Sequence, residues 1–120
     1  MNDIDKGFLI KQFGTAEPRG DRERAILQKA IDTYGGEMQS IVAIEEMAEL
    51  QKELTKALRG NLNIGGLVEE MADVAIMYRQ LMIIYNIDPA KLQQNIDAKL
   101  LRLKIRMAKK EAGNGQNGND

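Results

Sequence analysis

The chain has no Cys, no His and no Trp in 120 residues. Without thiol or imidazole there is no disulfide framework, no Cys/His zinc site, no Ser-His or Cys-His nucleophile pair and no imidazole base. Any catalysis must run on carboxylates, Lys, Tyr or a metal. Long apolar runs are also missing: no stretch approaches the ~20 apolar residues of a membrane span. The start Met1-Asn2-Asp3-Ile4-Asp5 lacks the features of a signal peptide, so a cytoplasmic location is the default expectation. Aromatics are scarce at 4%, whereas hydrophobic residues reach 43% and charged residues 29%. That mixture can bury a core and points to one domain rich in amphipathic helix.

Helix breakers concentrate at the two ends. Gly14, Pro18 and Gly20 punctuate residues 1–20, predicted to be mostly loop with a short helical turn around Phe8 to Phe13. The Gly/Asn-rich stretch 112–120 cannot bury apolar area and is predicted to be disordered. The foldable region is therefore 21–111, and four helices are expected in it. The first runs from about Arg22 to Tyr34, with Asp21 as N-cap and Gly35-Gly36 as a stop. The second spans about Glu37 to Arg59 and ends at Gly60. A third covers about Leu67 to Tyr85. The fourth follows Asp88-Pro89, with Asp88 as N-cap and Pro89 at the first helical position. No period-two run of β-branched residues is present, so the predicted class is all-α, a four-helix bundle.

A near-neutral total of 17 basic against 18 acidic residues hides a strong asymmetry. Between Glu37 and Asp73 eight acids face three bases; between Pro89 and Ala112 seven bases face two acids. The bland reading is a pair of solvated faces. The third helix argues against it. At 100° per residue, Glu70 and Asp73 share a stripe with Met77, Leu81 and Ile84, and the rest of that helix is apolar almost all round. Two carboxylates one turn apart facing a core repel each other and resist desolvation, so they must protonate or gather a cation. The second helix supplies matching groups in an acidic arc of Glu45, Glu46, Glu49 and Glu53, with Glu46 at its apolar edge. Glu46 with Glu49, and Glu70 with Asp73, converge if the two helices run antiparallel and touch. Hard oxygen ligands of this kind suit Mg²⁺ or Mn²⁺. A di-iron bundle is discounted because that architecture uses Glu-x-x-His pairs.

The run Glu45-Glu46-Met47-Ala48-Glu49, twenty residues, then Glu70-Met71-Ala72-Asp73 resembles the EExxE and ExxD pair of the MazG-like all-α nucleoside triphosphate pyrophosphohydrolases. With Ala30 to Gly35, Gln39 and Ala72 to Met77, the likeness covers about Ile26 to Met107 and is to the short, single-domain phage and prophage type. The resemblance implies that Glu46, Glu49, Glu70 and Asp73 hold Mg²⁺, with Mn²⁺ a possible substitute, that Glu45 and Glu46 are catalytic, and that Glu45, the remaining acid of the motif, helps orient water or a second ion. It implies cleavage of a nucleoside triphosphate between the α- and β-phosphates, giving a nucleoside monophosphate and pyrophosphate. Phosphoryl transfer needs charge neutralisation and an aligned water more than a nucleophilic side chain, which agrees with the residues present. Lys56 is a candidate for outward phosphates, and Lys52 a weaker one. Asn95, Lys99 and Arg102 on the fourth helix are candidates for the triphosphate and sugar, a solvated face being the equal alternative. Gln39 is a candidate base contact, although a surface Gln at a helix start is no less expected. Tyr78 and Tyr85 are expected in core or subunit packing.

A third helix apolar on nearly all sides needs more cover than three neighbours provide, so a homodimer or homotetramer is expected, and relatives form such assemblies. Two rival readings remain. A non-catalytic helical oligomeric adaptor would carry its acids as surface charge. A nucleic-acid binder would use the basic last helix, but the acidic second helix and the lack of aromatics for stacking weigh against that partner.

Overall fold

A computed structural model of the chain describes residues 19–117. Four helices, α1 (Arg19–Tyr34), α2 (Gly36–Leu58), α3 (Ile64–Ile84) and α4 (Pro89–Asn117), make up most of it, and no strand occurs among the described residues. The all-α class follows. The expected turn around Phe8 to Phe13 lies outside the described residues.

Local chemistry accounts for the helix ends. α1 begins at Arg19, earlier than predicted, so Asp21 sits in the first turn rather than at the N-cap, where its charge still favours the positive end of the helix dipole. Gly35 separates α1 from α2 with φ +93°, a region that a side chain would make costly. α2 closes through Gly60, φ +92°: Gly60 N donates to Ala57 O at 3.0 Å and Asn61 N to Lys56 O at 2.9 Å. These two bonds are those of a Schellman cap. α3 starts three residues earlier than the sequence pattern suggests because Asn63 Oδ1 accepts from Gly66 N at 3.1 Å, which draws Ile64, Gly65 and Gly66 into the first turn. Asp88 caps α4 as predicted, accepting from Ala90 N at 2.9 Å. α4 then continues to Asn117, past Gly113, where composition predicted disorder. Each residue added to an existing helix gains a backbone bond without burying a side chain, a contribution that burial arguments omit.

The chain divides into two compact units, 1–86 and 87–120. In the first, α2 and α3 form the main helix pair and α1 lies against both. α2 and α3 are antiparallel: the start of α2 meets the end of α3 where Ser40 Oγ and Tyr85 Oη lie 3.0 Å apart. Arg79 on α3 donates to Glu23 on α1. Leu27, Ala43 and Met77, one from each helix, are buried. Two amides share the interior, Gln39 and Gln80, the latter 3% exposed. α3 keeps apolar surface open within this unit: Val68, Met71, Ile76 and Tyr78 are exposed. Its principal neighbours in this unit, α1 and α2, cover only part of its circumference. Tyr85 is exposed too, so neither tyrosine is a core residue. The second unit contains α4, whose Ile96, Leu100, Leu101, Leu103, Ile105 and Met107 are exposed.

Candidate metal centre

The antiparallel pairing of α2 and α3 brings Glu46 opposite Glu70 and Asp73. A carboxylate oxygen from each lies within 4.8 Å of the others. Glu70 and Asp73 are three residues apart and therefore on one face of α3. The Schellman cap, the short loop and the Asn63 cap set the register that turns this face toward α2. Glu46 and Glu70 are half-buried and Asp73 is exposed, so the cluster is open to solvent on the Asp73 side.

Its electrostatics are those of crowded acids. Burial pushes the Glu46 carboxyl above its ordinary value, and the charge of Asp73, a hydrogen bond with Asp73, and the charges of Glu70 and Glu49 push it further. Glu70 is raised first by burial and then by Asp73, Glu49, Glu53 and Glu69. Glu70 Oε2 is buried without a hydrogen-bond partner. A desolvated carboxylate oxygen with no donor is costly unless a proton or a cation satisfies it. All the donors are oxygen, and the set fits a hard divalent cation better than zinc or copper. Exposed acids also cluster without a metal, and here the orphaned Glu70 oxygen is what distinguishes the group.

The remaining candidates fall into separate groups. Glu49 is exposed and acts on Glu46 and Glu70 through its charge. Glu45 is exposed and is not one of the three converging acids. Lys56 Nζ lies 3.4 Å from Glu53 Oε1, an ion pair one turn apart along α2. Gln39 is buried and is not the surface residue that a helix-start position suggested; Ala43 and Gln80 occupy the same interior. Asn95, Lys99 and Arg102 are exposed on α4, with Asn95 Nδ2 donating to Lys91 O at 2.9 Å. Glu53 belongs to the acidic arc and lies outside the predicted ligand set. It acts on Glu70, and its Oε2 sits 3.2 Å from where a Cβ on Gly66 would lie. Its seven-residue spacing from Glu46 is the signal that marks both as facing α3. Gln80, seven residues after Asp73, is buried on α3.

The chain matches no family model, no curated protein and no solved structure.

Proposed function

We propose that this chain is a Mg²⁺-dependent nucleoside triphosphate pyrophosphohydrolase of the MazG-like all-α type. The observation that supports this reading is the convergence of Glu46, Glu70 and Asp73 within 4.8 Å across an antiparallel helix pair, at the positions where the EExxE and ExxD resemblance puts metal ligands. Those three carboxylates would hold the cation, with Glu49 at the edge. Bound there, Mg²⁺ supplies charge neutralisation on the phosphate oxygens and a site that aligns water.

The protein's own groups then have distinct tasks. Glu70 offers an oxygen that finds no hydrogen-bond partner among the described residues. Asp73, on the open side, marks where the triphosphate enters. Glu49, whose charge acts on Glu46 and Glu70, is a candidate to accept a proton from attacking water, with Glu45 the remaining acid of the motif. Lys56 answers the outer phosphates as a point charge, at the expense of its contact with Glu53. Asn95, Lys99 and Arg102 remain candidates for the sugar and triphosphate, and the working form is a homodimer or homotetramer. No described helix is long and apolar enough to cross a membrane.

The test is release of pyrophosphate from eight ribo- and deoxyribonucleoside triphosphates with Mg²⁺, Mn²⁺ or EDTA, with nucleotide products separated by chromatography. Metal-dependent formation of monophosphate and pyrophosphate is expected. Metal-dependent release of inorganic phosphate with a diphosphate product would overturn the assigned bond.

A further inference from the structure

We propose that Gly66 and Glu53 are positioning residues of the metal centre. Gly66, on α3, is kept free of a side chain so that Glu53, on α2, can pack against its Cα. The contact fixes how closely the two helices run beside the acids. This rests on the metal reading of Glu46, Glu70 and Asp73, and not on the reaction assigned to them.

Backbone conformation does not call for glycine at position 66. Among the described residues the glycines with positive φ are Gly35 and Gly60. Gly66 lies inside α3, where glycine weakens a helix relative to alanine. Space supplies the reason instead. A Cβ at this position would meet Asn63 Nδ2 at 3.1 Å, Glu53 Oε2 at 3.2 Å and Asn63 Cγ at 3.3 Å, all closer than ordinary van der Waals contact. Groups from α2, the loop and α3 thus close on the volume of one absent methyl. At the neighbouring Gly65 a Cβ would meet only Asn63 Oδ1, at 3.5 Å, which is an ordinary distance. Two adjacent glycines in one helical turn therefore differ in what a methyl would displace.

The contact lies on the same stripe as the acids. Glu53 follows Glu46 by seven residues and Gly66 precedes Glu70 by four, two turns and one turn along their helices. Glu53 is held on both sides: its side chain is only 15% exposed, and Oε1 lies 3.4 Å from Lys56 Nζ while Oε2 faces Gly66. A methyl at position 66 must push this carboxylate, the Asn63 cap or α3 itself. Such a push reaches Glu70 within one helical turn, and a metal site depends on ligand distances held to within roughly 0.2 Å.

The probe is Mn²⁺ alone, without nucleotide. Its binding to the full chain is read from loss of the free-ion signal in electron paramagnetic resonance. Gly66→Ala should weaken binding ~10-fold, the size of losing a group that supports metal ligands, while Gly65→Ala keeps wild-type affinity. Both substitutions bring the same gain in helix propensity, so a difference between them reports the contact and not the helix. Glu53→Ala should also weaken binding ~10-fold. The double variant Glu53→Ala/Gly66→Ala should lose no more than either single one, because each change breaks the same contact. Equal affinities in Gly65→Ala and Gly66→Ala would overturn the proposal, as would losses that multiply to ~100-fold in the double variant. If Gly66→Ala does not fold, Glu53→Ala decides, and wild-type affinity there overturns the proposal. A wild type that binds no Mn²⁺ overturns the metal reading and this inference with it, whereas the other failures leave that reading standing.

Discussion

Glu46 on α2 and Asp73 on α3 bring carboxylate oxygens within 4.8 Å of each other across the helix pair although both are acids. Such a contact persists only if the two share a proton or a cation takes its place. Glu46→Gln and Asp73→Asn each remove one ligand charge with little change in volume. Turnover in either variant should fall by at least ~100-fold, the upper range seen when groups that merely orient ligands are removed. Circular dichroism should match wild type. Full activity in either one would overturn the assignment of the centre.

The same crowding sets a pH dependence for the metal-free protein. Glu46 and Glu70 both titrate above their ordinary value of 4.5 in the folded chain. Between that value and the raised ones the native state holds more protons than the unfolded state. Stability therefore falls as pH rises through this window and is lowest above it. Thermal melts in EDTA from pH 4 to 8 should show the decline. At neutral pH, Mg²⁺ at 100 times its dissociation constant should add ~2.7 kcal/mol. Glu70→Gln should raise the metal-free melting temperature and shrink the Mg²⁺ response. A melting temperature that climbs steadily across the same window would contradict the description.

Asn63 holds the entry of α3 through its side-chain bond to Gly66 N. Asn63→Ala should cost ~1 kcal/mol, lowering the melting temperature by ~4 to 8 °C for a domain of this size. Asn61→Ala, in the same loop, serves as the control and should be near neutral.

Gln80 is buried with its Oε1 unpartnered, and an unsatisfied buried acceptor costs ~1 to 3 kcal/mol. Gln80→Met keeps the volume and removes the acceptor. It should stabilise the metal-free fold by ~1 kcal/mol, read as a higher midpoint in urea. A clear loss of stability would mean that the amide makes a contact the fold requires.

Much of this molecule is decided by neighbours in sequence. Helix class, the Gly35 and Gly60 breaks, the Asp88 cap and the stripe shared by Glu70, Asp73 and Met77 are all legible in the chain, because helical bonds and caps act within about five residues. The start of α3 is not legible in the chain, because Gly65 and Gly66 look like loop until the Asn63 bond is counted. Which acids meet is a different kind of question. Glu45 and Glu46 are adjacent in sequence, yet only Glu46 joins Glu70 and Asp73, because 100° of helix rotation separates them and the register of α2 against α3 selects one. Burial of Gln39 and Gln80, and exposure of much of α3, likewise depend on how many helices surround a given face. Periodicity reports that a face is apolar; packing alone determines what covers it.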